Sequence, residues 1–267
     1  MAPTPEGKIS FMNVSQGSTL EIDLAAPPTP ALSEIALFAD LDGTLAPIEE
    51  TPDAVKPDAR RRRLLDALTH ALCGRLAVVS GRALGDLDRV LEGRITAVAA
   101  VHGLVRRTAD GRIISAAADE RIGEAAAAFR AFAKADSGLL VEDKRVAVAL
   151  HYRKAPLAAE ACRDLAKRLS ASLGLIVQEG ESVVELRAPG PDKGAAVEAF
   201  MAEPPFAGFS PIFLGDDLTD EDGFRAASAL GGFGVVVGAR RPTAARYGLA
   251  DVAAAQAWLQ RGLEATA

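Results

Sequence analysis

The chain has 267 residues, and its 36 acidic and 30 basic side chains leave a formal net charge of −6. A length above the commonest single-domain size predicts one core with one smaller domain, filled mainly by aliphatic side chains. The acidic balance argues against nucleic acid or an anionic membrane as the main partner, and no apolar run reaches the roughly 18 residues of a membrane span.

The first segment, residues 1–33, has the composition of a linker. It is rich in Pro, Gly, Ser and Thr and lacks helical or strand periodicity, so the sequence predicts a disordered leader. The leader has no apolar signal-peptide region, and the only cysteines, Cys73 and Cys162, are far apart. We therefore predict a cytoplasmic protein with two buried thiols and no disulfide.

Three short apolar runs are typical of buried parallel strands, because each is continuous and each ends abruptly in polar residues. The runs cover residues 35–39, 76–79 and 211–214. Helical patterns with leucines along one face lie between them. This alternation predicts an α/β fold, with a Rossmann-like core and a parallel sheet built from residues 34–103 and 188–267.

The segment between the two halves of the core, residues 104–187, has a different pattern. Helical periodicity near residues 122–132 and 157–173 alternates with strand-like runs over 139–152 and 175–186. This pattern predicts a smaller α+β domain inserted into the core.

Carboxylates follow two of the three apolar runs. Asp40 and Asp42 come after the first run, and Asp216 and Asp217 after the third. Since ligands of open parallel sheets bind outside the carboxyl ends of the strands, these side chains are expected to converge. Several carboxylates in one crevice need a cation, and hard oxygen ligands favour Mg²⁺, which bridges to phosphate. One Asp-Gly pair alone is an ordinary turn, but three convergent clusters indicate a site.

Two further residues suit a phosphate group. Ser80 supplies a hydroxyl at the end of the second run, followed by backbone amides at a predicted helix start. Lys193 lies at the start of another predicted helix, where the helix dipole favours negative charge, so a cation there indicates an anion to be neutralised. Taken singly, Ser80 is also compatible with a helix cap, and Lys193 with a solvated surface side chain.

These clusters carry a resemblance to a known family. In order, Asp40–Thr44, Ser80–Arg82, Lys193 and Gly215–Asp217 resemble the four motifs of the haloacid dehalogenase-like phosphatase superfamily. Residues 35–259 as a whole look like the bacterial trehalose-6-phosphate phosphatases. That second resemblance includes four more motifs: Val101-His102-Gly103, the pair Glu142 and Lys144, Ala149–Arg153, and Val183–Leu186.

The resemblance implies catalytic and metal-binding roles. Asp40 would be the nucleophile that forms an aspartyl phosphate, and Asp42 the general acid and then the general base. Mg²⁺ would be held by the Asp40 carboxylate, the Asp42 backbone carbonyl and Asp216. Asp217 and Asp220 would orient these ligands from behind.

The resemblance also implies how the substrate is held. The inserted domain would be a cap that closes over the core, excludes water and contacts the sugar. One position departs from the family pattern, since relatives often carry an acid two places after the His-Gly pair, where this chain has Val105. The phosphate-binding residues would be Thr44, Ser80 and Lys193, and the sugar-binding residues Glu142, Lys144 and Glu185.

The resemblance thus implies an Mg²⁺-dependent phosphatase that hydrolyses trehalose 6-phosphate, and a monomer is the default expectation for its oligomeric state. Two alternatives remain open from the residues. One is a phosphatase for another sugar phosphate, such as sucrose 6-phosphate, with the same core and different cap contacts. The other is a catalytically silent relative that binds sugar phosphates, although a pure binder has no need of two acids spaced as Asp40 and Asp42 are.

Overall fold

The computed structural model describes residues 24–180, 182–238 and 242–266, which form two sheets flanked by helices. The strands are β1 (Ile35–Ala39), β2 (Leu76–Val79), β3 (Val98–Ala100), β4 (Val105–Arg107), β5 (Ile113–Ser115), β6 (Leu140–Asp143), β7 (Ala147–His151), β8 (Ile176–Gly180), β9 (Val183–Arg187), β10 (Ser210–Gly215), β11 (Phe233–Val237) and β12 (Tyr247–Leu249). The helices are α1 (Ala59–Ala71), α2 (Leu84–Val90), α3 (Glu120–Ala133), α4 (Ala159–Leu173), α5 (Lys193–Met201), α6 (Asp220–Ala229) and α7 (Val252–Thr266).

The larger sheet has the strand order β12-β11-β10-β1-β2-β3-β4-β5. The first six of these strands run parallel, and β4 and β5 add two antiparallel strands at one edge. The three predicted apolar runs are the central strands β10, β1 and β2. The predicted fold class, an α/β protein with a Rossmann-like core and an inserted smaller α+β domain, is confirmed.

Helices cover both faces of the larger sheet, and the side chains of β1 alternate between two apolar clusters. Leu37 and Ala39 face the cluster beneath α1, α2 and α7, whereas Ala36 and Phe38 face the cluster beneath α5 and α6. On that second face the Phe38 ring stacks on Phe206 at 5.4 Å between centroids. Burial on both faces explains why β1 reads as one continuous apolar run.

The smaller, antiparallel sheet has the order β6-β7-β9-β8 and belongs to the inserted domain. One of its faces packs on α3 and α4 through residues such as Val148, Leu150 and Phe129. The other face carries the residues of alternate register, among them Glu142, Ala149 and Glu185, which pair across β6, β7 and β9. Polar side chains on this second face point away from the domain's own core.

The inserted domain begins later than the sequence analysis placed it. Residues 105–115 form β4 and β5, which continue the larger sheet by antiparallel pairing, so the insertion starts after Ser115 rather than at residue 104. Helix α6 was also not predicted, because the acidic residues at its start carry no apolar periodicity. Its first residue, Asp220, is buried, but its apolar buried side begins only at Gly223 and Phe224.

Part of the predicted leader is wrong. Residues 1–23 lie outside the described residues, but from Leu24 onward the chain packs on the core. Leu32 is fully buried, and the Trp258 indole donates to the Pro28 carbonyl at 2.8 Å. These ten residues belong to the core domain, since fully buried apolar side chains and satisfied polar groups hold them.

Two expectations about the whole chain can be compared with the structure. Cys162 is buried, but Cys73 is exposed, so the prediction of two buried thiols is half wrong, and both described thiols are free. None of the helices in the described part of the chain has the length and apolar composition needed to cross a bilayer.

Candidate active site

The polar clusters that follow the central strands meet in one cavity of about 710 Å³. Asp40 follows β1, Ser80 follows β2 and Asp216 follows β10, and these three strands are adjacent. The inserted domain supplies the facing wall, so both domains line the cavity. From that domain come Glu142, Lys144, His151, Arg153, Gln178, Glu179 and Glu185.

A buried charge cluster lies at the floor of this cavity. Lys193 Nζ donates to Asp220 Oδ1 at 2.6 Å and lies 3.2 Å from Asp40 Oδ1. Burial alone would lower the pKa of Lys193, but Asp220 and Asp40 outweigh it and raise that pKa. Burial raises the pKa of Asp40 well above its ordinary value, Lys193 opposes the rise, and neighbouring carboxylates add to it.

Asp220 organises the loop that follows β10. Its Oδ2 accepts hydrogen bonds from the backbone N–H groups of Asp216 and Asp217, both at 2.9 Å. With Lys193 on its other oxygen, this fully buried carboxylate is satisfied on both sides. Asp220 therefore fixes both Lys193 and the loop that carries Asp216, whereas its predicted role in orienting metal ligands stays a prediction.

Asp216 lies opposite Asp40 on the cavity floor. Burial, followed by the charge of Asp220, raises the pKa of Asp216 to about 7. The Thr44 hydroxyl donates to Asp216 Oδ1 at 3.2 Å. Because that hydroxyl is directed at Asp216, the phosphate-binding role of Thr44 stays a prediction.

Glycine is required at position 43 because the loop after β1 and the loop after β10 lie very close to each other. Its φ of +76° lies in the left-handed region, and a Cβ there would come within 2.1 Å of Asp216 Oδ2. Only glycine combines this backbone conformation with such a close approach. The Asp-Gly pair that taken alone indicates a turn thus also leaves space for the second acidic loop.

The residues at the cavity floor fit a divalent cation. One carboxylate oxygen from each of Asp40, Asp216 and Asp220 lies within 4.8 Å of the others, and one lysine offsets their charge. Asp40 Oδ1 is buried, and its ion pair with Lys193 leaves it without a well-aligned hydrogen bond. Since Asp220 is already satisfied, Asp40 and Asp216 are the carboxylates left for a metal, and their predicted role as ligands stays a prediction. An oxygen-only donor set suits Mg²⁺.

Ser80 and Arg82 lie at the end of β2, beside this floor. The Ser80 Oγ accepts a hydrogen bond from the Arg82 backbone N–H at 3.3 Å, so the hydroxyl hydrogen is left for an anion. The Arg82 guanidinium binds both oxygens of Asp42, at 2.6 and 2.8 Å, and also contacts Asp86 and the Pro52 carbonyl at 2.9 Å. Arg82 belongs to the motif Ser80–Arg82, but no role was predicted for it.

The three cap residues predicted to bind sugar line the cavity together. Glu142 lies on β6 and Glu185 on β9, and Lys144 follows the end of β6. Lys144 Nζ is paired with Glu185 Oε2 and lies 3.9 Å from Glu142 Oε2. Lys144 also donates to the Gly81 carbonyl of the core at 2.8 Å. Burial alone would lower the pKa of Lys144, but Glu185 and Glu142 raise it, so the lysine is charged and joins the two domains.

Three cavity residues had no assigned role. His151 Nε2 lies 3.0 Å from Glu142 Oε2, and His102, from the core, lies 3.5 Å from Glu185 Oε1 and 3.1 Å from the Gln178 amide. Both histidines lie in motifs of the family resemblance, which could have identified them as site residues. No sequence pattern distinguishes Gln178. Val105 lies in β4, half-buried against the core.

Comparisons with known proteins decide the family. A family model described as trehalose-phosphatase matches residues 38–253. The chain belongs to the trehalose-phosphatase family. This confirms the resemblance inferred from the ordered motifs.

Relatives in this family match nearly the whole chain. The trehalose-6-phosphate phosphatase of Escherichia coli (strain K12) is 39% identical over 87% of this chain and 88% of that protein. A probable trehalose-phosphate phosphatase of Sinorhizobium fredii is also 39% identical, over 92% of this chain and 93% of that protein. The solved C-terminal domain of C. albicans trehalose-6-phosphate phosphatase superposes with a TM-score of 0.80 and 23% identity, covering 91% of this chain and 99% of that chain, which shows the shared fold.

The need for glycine at position 43 can be tested with a matched pair of variants. We expect Gly43→Ala to lower phosphatase turnover by at least about 100-fold, because its Cβ would displace Asp216 from the floor. Gly111→Ala is the control, since Gly111 has a similar φ of +88° but nothing within 4 Å of its Cβ position. Steady-state assays and urea unfolding of both variants provide the measurement. Equal loss of activity in the two variants would contradict the steric explanation.

The raised pKa of Asp216 predicts how stability depends on pH in the metal-free protein. Between the ordinary value of 3.8 and the folded value of about 7, the folded state binds a proton that the unfolded state has lost. The free energy of unfolding should therefore fall as pH rises through this window, by at most about 1.4 kcal/mol per pH unit for one proton.

Urea unfolding with a chelator, at pH values between about 4 and 8, measures this slope. Asp216→Asn should reduce it, and Mg²⁺ should restore stability at the upper end of the range. A slope that is the same in the wild type and in Asp216→Asn would show that another group titrates.

Proposed function

We propose that this chain hydrolyses trehalose 6-phosphate to trehalose and phosphate through an aspartyl phosphate on Asp40, with Mg²⁺ as cofactor. The observation that carries the proposal is the single cavity in which the buried cluster of Asp40, Lys193 and Asp220 faces the charged cap residues. Membership of the trehalose-phosphatase family, and two relatives at 39% identity that are named as trehalose-phosphate phosphatases, support this substrate.

The first chemical step uses the buried carboxylate of Asp40. A carboxylate oxygen attacks phosphorus, the bond from phosphorus to the sugar oxygen breaks, and the phosphoryl group becomes an acyl phosphate on Asp40. Lys193 Nζ, at 3.2 Å, favours the ionised carboxylate that this attack requires. Water then attacks the phosphorus, releases phosphate and regenerates Asp40.

Asp42 is suited to the proton transfers by its position two residues from the nucleophile. As general acid it gives a proton to the departing sugar oxygen, and as general base it takes one from the attacking water. Both of its oxygens are bound by Arg82 in this structure. The Asp42 side chain must therefore leave Arg82 before it acts as an acid.

The transferred phosphoryl group carries negative charge that the floor must offset. The Ser80 hydroxyl and the Lys193 ammonium are the donors placed to hold its oxygens. Mg²⁺ held by the carboxylates of Asp40 and Asp216 and the Asp42 carbonyl would add Lewis-acid stabilisation of the same charge.

The cap covers the floor and supplies the polar groups that a disaccharide needs. Glu142, Lys144 and Glu185 offer both acceptors and a donor at the wall opposite Asp40, which suits sugar hydroxyls. Contact of Lys144 with the Gly81 carbonyl holds this wall next to Ser80. Recognition of the sugar is thereby linked to a cap that shields the reacting phosphate from bulk water.

The proposal and its alternatives are separated by phosphate release from trehalose 6-phosphate, sucrose 6-phosphate and glucose 6-phosphate, each with Mg²⁺ and with chelator. We expect turnover of the first substrate and only with metal. Preference for sucrose 6-phosphate would move the substrate assignment to that alternative. Binding without phosphate release would identify a catalytically silent relative.

The covalent mechanism predicts the effect of Asp40→Asn. This nearly isosteric change removes the nucleophile, so turnover should fall at least about 1,000-fold. Stability should stay equal or increase, because burial penalises the Asp40 charge. Asp53→Asn, at an exposed acid of the loop after β1, is the control and should keep wild-type turnover. Near-normal activity of Asp40→Asn would rule out the aspartyl phosphate.

The sugar-binding role of the cap predicts a substrate-dependent effect of Glu185→Ala. Loss of this carboxylate should lower kcat/KM for trehalose 6-phosphate by about 10- to 100-fold, since a charged hydrogen-bond acceptor is removed. Turnover of an aryl phosphate, which has no sugar hydroxyls, should change far less. Equal losses with the two substrates would instead indicate a structural role for Glu185.

A further inference from the structure

Gln178 is a half-buried cavity residue that neither the motifs nor the proposed mechanism explains. It lies on β8 of the cap, next to Glu185 on β9 in the sheet register. Its amide nitrogen lies 3.1 Å from Nδ1 of His102, a residue of the core. The contact therefore crosses from one domain to the other at the wall where the sugar is expected.

His102 is held in place by an unusual backbone. Its φ of +57° is in the left-handed region, and its N–H donates to the Ser80 carbonyl at 2.9 Å. The ring then lies over Gly81, where a Cβ would come within 2.5 Å of His102 Nε2. Such a position is strained for a side-chain-bearing residue, and strain of this kind is concentrated at functional sites.

With its NH₂ group towards Nδ1, as the amide is oriented here, Gln178 would set which ring nitrogen of His102 carries hydrogen. An amide NH₂ group can only donate, so Nδ1 accepts and a neutral ring has its hydrogen on Nε2. Burial, with the charges of Lys193, Lys144 and Arg187, lowers the pKa of His102 well below its ordinary value, which agrees with a neutral ring. The Nε2–H group is then a donor that faces the cavity.

Glu185 provides the matching acceptor. Its Oε2 is paired with Lys144, whereas its Oε1 is buried, has no hydrogen-bond partner and lies 3.5 Å from His102 Nε2. A hydroxyl group could donate to this free oxygen while it accepts from the Nε2–H group. The pair would thus recognise one hydroxyl in both of its hydrogen-bonding roles.

We propose that Gln178 is a positioning residue that fixes His102 as its Nε2–H tautomer, so that His102 and Glu185 Oε1 together bind one sugar hydroxyl. This inference rests on the proposed function, because it assigns the hydroxyl to the sugar phosphate. Since His102 comes from the core and Gln178 and Glu185 from the cap, the hydroxyl site exists only while the cap lies on the core.

Two substitutions at one position test this assignment. Gln178→Leu removes the hydrogen bond, and Gln178→Glu replaces the donor with a carboxylate that only accepts. In the Glu variant a neutral His102 must place its hydrogen on Nδ1, which turns the Nε2 lone pair towards Glu185. Gln260→Glu, on the exposed side of α7, adds the same charge away from the cavity and is the control.

Nitrogen-15 NMR of histidine-labelled protein reads the tautomer directly, and the chain has only 3 histidines to assign. We expect a neutral Nε2–H ring for His102 in the wild type and an Nδ1–H or doubly protonated ring in Gln178→Glu. A wild-type His102 that is protonated on Nδ1 at neutral pH would overturn the proposal. This measurement needs no substrate, so it stands even if trehalose 6-phosphate is not hydrolysed.

Kinetics then test the consequence for the sugar. Gln178→Leu should lower kcat/KM for trehalose 6-phosphate about tenfold, the loss expected for one hydrogen bond between uncharged groups, and leave aryl phosphate turnover within about twofold. Equal losses on both substrates would overturn the positioning role. If the wild type hydrolyses aryl phosphate but not trehalose 6-phosphate, the substrate proposal fails while the NMR result still decides the tautomer.

The pH profile of Gln178→Glu adds a readout that a purely structural role would not change. The groups facing His102 in that variant are the new carboxylate, Glu185, Lys144, Arg187 and Lys193. The new carboxylate raises the pKa of His102, and the doubly protonated ring keeps its Nε2–H donor.

Activity relative to the wild type should therefore be highest at low pH and fall as pH rises through the raised pKa. The same ratio for Gln260→Glu should not vary with pH. A ratio for Gln178→Glu that is constant between about pH 5.5 and 8.5 would contradict the proposed tautomer switch.

Discussion

The crowding of carboxylates around Lys193 is the constraint on which the rest of this site depends. Asp40, Asp216 and Asp220 share a buried space with one ammonium group, so their charges are only partly offset. Asp220 is satisfied by Lys193 and two backbone amides, and the remaining excess charge rests on Asp40 and Asp216. Burial makes that excess costly unless a cation or a proton is present. The same imbalance that makes the floor costly without a cation suits it to a metal and a phosphate.

A second level of organisation lies at the junction of core and cap. The inserted domain has its own apolar cluster, but Val146 and Ala147, where β7 begins, pack into the apolar cluster of the core. At the cavity itself the two domains are joined by polar contacts, from Lys144 to the Gly81 carbonyl and from Gln178 to His102. The cap is therefore held on the core by apolar packing at the start of β7 and by single polar side chains at the cavity wall.

The core of the site could be predicted from the sequence because strand ends in a parallel sheet share one edge. Asp40, Ser80 and Asp216 each follow a continuous apolar run. These runs form adjacent parallel strands, so the three side chains lie at the same edge of the sheet. Contacts made by long polar side chains could not be predicted in the same way, since the pairing of Arg82 with Asp42 depends on rotamers and on distances between loops.

The errors in boundaries and order have similar physical causes. The strands β4 and β5 have three residues each, too few to show a periodic pattern, so the core sheet was predicted to end too early. The linker-like composition of Leu24–Ser33 hid the fact that a few of its side chains and carbonyls find partners on the core. Local composition indicates how well a segment is solvated only on average, whereas here three buried residues, Pro27, Pro30 and Leu32, and three hydrogen bonds from the core to the segment's carbonyls hold it in place.

The antiparallel register of the cap sheet has a consequence for how this protein can diverge. Glu142, Ala149, Glu185 and Gln178 form one row across the four strands, with the small alanine between two acids. Because neighbouring positions along each strand point to opposite faces, inserting or deleting one residue within a strand would exchange this row for apolar side chains. On the proposed function, replacing side chains in the row, Ala149 included, alters the preferred sugar, whereas a change of strand length by a single residue would expose the cap's core and remove the row together.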